Sequence, residues 1–111
     1  MKIYIAGKIS GLPKAEYTAK FLQAELALRA AGWKPVNPCN FGIADDTTSA
    51  EALKTCLPEL EKCTAVYMLS DWHDSLGAII EHSTAIHNGM DIYYEENHCM
   101  QTMQKIREEV V

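Results

Sequence analysis

Thr64-Ala65-Val66-Tyr67-Met68-Leu69 decides the fold: the run carries no charge and is apolar almost throughout. A strand exposed on one face alternates polar and apolar residues, whereas one buried on both faces of a parallel sheet does not alternate. The run therefore reads as a central strand, and its neighbours in sequence support that reading. Downstream, 70–74 is loop-like, and Ser75 is placed to cap a helix from 76 to about 87, which stops at Asn88-Gly89. A further strand is expected at 91–94, then a last helix over 98–109 with Met103, Ile106 and Val110 along one face.

Upstream the same alternation holds. Residues 2–6 form a short apolar run ending at Gly7, which reads as a strand and not as a signal peptide. The loop Gly7-Lys8-Ile9-Ser10-Gly11-Leu12 leads to Pro13, a favoured residue in the first turn of a helix. Residues 14–31 are rich in helix formers, with Phe21, Leu22, Leu26 and Leu28 as the expected apolar stripe and Gly32 as the stop. A second strand is expected at 33–36, a loop at 39–48, and a helix starting at Ala50 behind a Ser49 cap, kinked or restarted at Pro58.

The resulting order is β-α-β-α-β-α-β-α. It predicts a single α/β domain over residues 1–111: three layers around a doubly wound, four- to five-stranded parallel sheet of the flavodoxin or Rossmann kind. A chain of 111 residues is long enough for one core and too short for two domains. Ligands of such sheets bind at the carboxyl ends of the strands, where the strand order reverses. The loops 7–12 and 70–75 should meet there.

Composition narrows the function. The net charge is −5, which argues against coating a nucleic-acid polymer, since that work needs a cationic face. No stretch approaches the roughly 20 apolar residues that span a bilayer. The four cysteines, Cys39, Cys56, Cys63 and Cys99, come without a secretion signal and read as reduced thiols of a cytoplasmic protein. His73, His82, His87 and His98 form neither a Cys-x-x-Cys nor a His-Glu-x-x-His pattern, so neither a metal nor a cofactor is expected.

Within the two loops, Gly7 and Gly11 permit close backbone approach to a ligand or serve simply as turn residues, and Lys8 offers a cation for phosphate. Ser75 and Gly77 open a helix, whose free N–H groups favour anions. Glu81 lies one turn after Gly77, on the same face, so a ligand passing Gly77 could reach its carboxylate. A solvated helix glutamate is the other reading. Ile79 and Ile80 are expected to pack that helix onto the sheet, His82 to lie at the surface or an interface, and Trp72 to be either a stacking lid over a base or a loop anchor.

Gly7-Lys8-Ile9-Ser10-Gly11 after a strand containing Tyr4, followed by Ser75-Leu76-Gly77-x-x-x-Glu81 after a central strand, resembles the nucleoside 2-deoxyribosyltransferase superfamily. The serine six residues before the glutamate is most similar to the 2′-deoxynucleoside 5′-monophosphate N-glycosidase branch. Almost the whole chain is also similar to a small phage and bacterial family of unassigned function within the superfamily, through "IYIAGKISGL", "VNP", "AVYML" and S-x-G-A-x-x-E. The resemblance implies a deoxynucleoside or deoxynucleotide substrate and Glu81 as the nucleophile on C1′. It implies phosphate binding at Ser75, base and phosphate contacts at Gly7, Lys8, Ile9 and Ser10, a site-lining Tyr4, and a homodimer or larger assembly. Asp71 and Trp72, beside Ser75 and Gly77, join the substrate-binding set. The superfamily's aspartate in the helix before the third strand has no counterpart in Lys54-Thr55-Cys56-Leu57-Pro58-Glu59. A nucleotide-binding or sensing module without catalysis is the alternative.

Overall fold

A computed structural model describes residues 1–44 and 46–96. The expected last helix and the fourth cysteine, Cys99, lie outside these residues. Four strands, β1 (Lys2–Ala6), β2 (Lys34–Val36), β3 (Ala65–Met68) and β4 (Asp91–Tyr94), alternate with α1 (Lys14–Ala30), α2 (Ser49–Glu61) and α3 (Leu76–His87). Short 3-10 turns occupy Pro38–Phe41 and Trp72–Asp74. The sheet is all parallel in the order β2-β1-β3-β4. β1 pairs with β3 in the register Ile3 to Ala65 through Ala6 to Met68. The order reverses between β1 and β3, so the loops after these two strands flank the switch point.

Strand alternation assigns each layer its partners. Ile3, Ile5, Ala65, Tyr67 and Leu69 face α1, where Phe21, Ala24 and Leu28 are buried against them. Tyr4, Ala6, Val66 and Met68 face the other way, toward Cys56 and Leu60 of α2 and Ala78 and Ala85 of α3. All four residues of β3 are buried, as a strand covered on both faces requires.

Four local expectations are corrected. The buried stripe of α1 runs through residues 21, 24 and 28, while Leu22 and Leu26 are 47% and 57% exposed. Ala24, too small to stand out in the sequence, completes the i, i+3, i+7 face in their place. On α3, Ala78 and Ala85 make the sheet contact, and Ile79 is 38% exposed. Small residues there let the helix approach closely, which brings Glu81, on the same face, down to the sheet. The cap of α2 is Thr48, whose hydroxyl accepts from the Glu51 N–H, and Ser49 is already helical. The helix does not restart at Pro58: α2 runs through it to Glu61. Pro58 is exposed, and its missing N–H withholds one helix bond from the Lys54 carbonyl.

Candidate functional site

Tyr4 and Glu81 are 77 residues apart in sequence and joined by a 2.5 Å hydrogen bond from the tyrosine hydroxyl to Glu81 Oε2. Tyr4 is placed by β1, whose even-numbered side chains point toward α2 and α3. Glu81 is placed by α3, whose N-terminus is fixed by Ser75: its hydroxyl oxygen accepts from the Ala78 N–H at 3.2 Å. Only 7% of Glu81 is exposed. Burial disfavours the charged carboxylate and pushes its pKa up from 4.5 to about 7, against the opposing effect of the Tyr4 hydrogen bond. The same burial, reinforced by the adjacent carboxylate, pushes Tyr4 strongly up, so it remains a proton donor.

The pair lies in the wall of a cavity of about 880 Å3 at the carboxyl ends of the strands. Tyr4, Gly7, Ile9, Ser10, Ser75, Gly77 and Glu81, seven of the expected site residues, all line it. The size suits a small organic ligand. Gly77 faces open space: a Cβ there would meet nothing nearer than Ser75 Oγ at 3.9 Å. Gly7 has a different reason to be glycine. A Cβ at that position would come within 2.7 Å of Leu69 Cδ1 and 2.9 Å of Leu69 Cβ, so packing of the two loops already demands it. Among the described lining residues, Glu81 is the one carboxylate, and Lys14 the one lysine or arginine.

Lys8, Asp71 and Trp72 do not line the cavity. Asp71 instead fastens the first loop from behind. Its Oδ1 accepts from the Lys8 N–H at 3.1 Å, and its Oδ2 pairs with the Lys20 ammonium, which also donates to the Lys8 carbonyl at 2.8 Å. Trp72 is a loop anchor. Its ring stacks on His82 at 4.2 Å and contacts His73 at 3.9 Å, on the α2–α3 side of the core. His82 is half-buried; Nε2 lies 2.7 Å from the Tyr94 hydroxyl, and burial lowers its pKa.

Sequence reasoning missed Lys20 and Cys56. Lys20 stands in a helix among other polar residues, and nothing local marks it as the partner of a residue 51 positions away. Cys56 reads from sequence as a buried thiol, yet it lines the same cavity as Tyr4 and Glu81. The Asp71 clamp gives a first prediction. Asp71→Ala removes a charge-assisted pair and an acceptor together and is expected to cost about 1–3 kcal/mol. Denaturant unfolding measures it; an unchanged midpoint refutes the clamp.

Among the described residues no three His, Cys, Asp or Glu side chains are grouped to hold a metal, and no helix is long and apolar enough to cross a membrane. Fold and site define a parallel α/β protein with a buried carboxylate facing a cavity at its switch point. Residues 1–94 match a family described as a domain of unknown function (DUF4406), and the chain belongs to that family. No curated protein matches the chain.

Proposed function

We propose that this protein is a member of the nucleoside 2-deoxyribosyltransferase superfamily, nearest its monophosphate N-glycosidase branch. In this reading it cleaves the N-glycosidic bond of a 2′-deoxynucleoside or its 5′-monophosphate. The observation that carries the reading is Glu81: a nine-tenths-buried carboxylate, steadied by Tyr4, in the wall of a nucleotide-sized cavity. A carboxylate beneath the anomeric carbon stabilises positive charge developing on the sugar ring, or traps it covalently. Glu81 would attack C1′ as the C1′–N bond breaks, and the base would leave with the bonding electrons and take up a proton. Water, or a second base, would then displace Glu81 from C1′ and restore the carboxylate. The Ser75 hydroxyl oxygen already accepts the Ala78 N–H, so its own hydrogen is left to donate to a phosphate. The three described cysteines are free thiols, which suits the cytoplasm.

One observation favours a second reading, a nucleotide-binding or sensing module. Glu81 is the sole carboxylate among the described lining residues, whereas glycoside cleavage generally uses two. Incubation with a panel of 2′-deoxynucleosides and their 5′-monophosphates, followed by chromatography for free base, separates the two. The glycosidase reading expects base release that Glu81→Gln abolishes. Saturable nucleotide binding with no release would establish the sensor.

The reaction should also depend on pH in one direction. Glu81 must be ionised to act, so kcat/KM is expected to rise tenfold per pH unit below about 7 and to level off above it. Tyr4→Phe removes the hydrogen bond that lowers the Glu81 pKa, so this limb should move to higher pH. A profile flat from pH 5 to 9 would refute the assignment of Glu81 as nucleophile.

A further inference from the structure

The outer face of α3 is apolar and carries no charge. Ala78, Glu81 and Ala85 turn inward, and opposite them Leu76, Ile79, Ser83 and Ile86 follow at i, i+3, i+7 and i+10, an exposed stripe running the length of the helix. Leu76 is 69% and Ile86 58% exposed. The other helices differ: α1 carries Lys14, Glu16, Lys20, Glu25 and Arg29, and α2 carries Glu51, Lys54, Glu59 and Glu61. On α3 the one Asp, Glu, Lys or Arg is the buried Glu81. Exposed apolar side chains scattered singly are ordinary on a domain surface, whereas a continuous stripe of them marks a contact surface. We propose that this face binds a second copy of the chain, the two α3 helices packing antiparallel about a two-fold axis.

Two features favour a second copy over a different partner. The first is charge. The chain has a net charge of −5, so two copies repel, and a two-fold contact sets a patch against itself. A face without charge meets itself with no like charges opposed. A partner of opposite sign would be recognised through charges that this face lacks. The second feature is that the stripe is its own complement. Leu76 and Ile86 lie equally far from its midpoint, and so do Ile79 and Ser83. Antiparallel packing therefore sets Leu76 against the partner's Ile86 at each end. Beside the axis it sets Ile79 against the partner's Ser83, a large side chain against a small one, which lets the helices approach closely. The same arrangement brings Asp74, ahead of one helix, toward the partner's His87 at the end of the other, and opposes the two helix dipoles. Leu76 lies between Ser75 and Gly77, both in the cavity wall, so the second copy would sit beside that cavity. None of this depends on the glycosidase reading.

Sedimentation equilibrium of the full chain over the micromolar range tests this, and a reversible dimer is expected. Leu76→Glu and Ile86→Lys, each alone, set a charge against an apolar side chain at both ends of the interface. Each should weaken dimerisation by about a hundredfold, with the fold intact by circular dichroism because both positions are exposed. Mixed in equal amounts, the two variants should dimerise with each other. The introduced carboxylate then faces the introduced ammonium at one end, and the native contact between Leu76 and Ile86 remains at the other. Only the antiparallel register predicts this recovery. A chain that stays monomeric overturns the proposal. If Leu76→Glu then also lowers the unfolding midpoint of that monomer, residues of the same chain cover the face; if it does not, the face is left to a different partner. A dimer that tolerates both substitutions forms elsewhere and overturns the proposal, as does a mixture that fails to reassociate. Should either variant fail to fold, Ser83→Arg near the centre of the face decides alone: dimerisation as tight as that of the unaltered protein overturns the interface.

Discussion

Glu81→Gln is expected to make the protein inactive and, above pH 7, more stable. The two effects share one cause. The carboxyl titrates at about 7 in the folded protein against an ordinary value of 4.5, because burial penalises its charge. A group whose folded pKa is raised contributes its full stabilisation below the unfolded value. That contribution is lost as pH rises from 4.5 to 7 and is absent above. The interval corresponds to roughly 3 kcal/mol against the folded state at alkaline pH. The glutamine amide carries no charge, fills the same volume and still offers an oxygen to the Tyr4 hydroxyl. Thermal unfolding at pH 8.5 should therefore show Glu81→Gln melting higher, by on the order of 10 °C for a domain of this size. At pH 4 the two proteins should melt together. A variant that is less stable at pH 8.5, or equally shifted at both pH values, would show that the carboxylate is not held under strain. A site that sacrifices stability to keep a charge buried is what a catalytic carboxylate requires.

The second large effect is a contrast between two glycines. Gly7→Ala places a methyl group within 2.9 Å of Leu69 Cβ, an atom fixed to the backbone of the neighbouring loop. The side chain of Leu69 can rotate away, but its Cβ cannot, so the two loops must separate. The expected cost is about 1–3 kcal/mol, typical of overpacking in a tight core. Gly77→Ala meets no atom closer than 3.9 Å. It should leave stability unchanged or raise it by up to about 1 kcal/mol, since alanine is the better helix former. Its methyl group, however, points into the space before Glu81. A tenfold or greater loss in kcat/KM for base release is expected, with unfolding unaffected. Chemical denaturation and base-release kinetics on both variants check the pair. If Gly77→Ala releases base normally, the ligand does not pass that position.

Much of the architecture was legible because it rests on local signals. The unalternating run of β3, the Pro13 and Gly32 punctuation of α1 and the Ser75 cap of α3 each act within a few residues, and each is found where the pattern places it. The errors fall where a local signal competes with packing. Leu22 and Leu26 are larger and more hydrophobic than Ala24, yet Ala24 is buried, because the distance between helix and sheet admits a methyl group there. Ile79 gives way to Ala78 for the same reason.

By itself the sequence determined the order of strands and helices, the parallel sheet, and the two loops that meet at its switch point. These follow from periodicity and capping, which are properties of neighbouring residues. Only the tertiary structure decided which polar groups face one another. It brought Glu81 to Tyr4 across 77 residues, turned Asp71 away from the cavity and onto Lys20, and put Cys56 in the wall of the cavity that the pair lines. The carboxylate's raised pKa belongs to this second category: it arises from exclusion of water by three separate elements, β1, α2 and α3, and no segment of the chain carries that property alone.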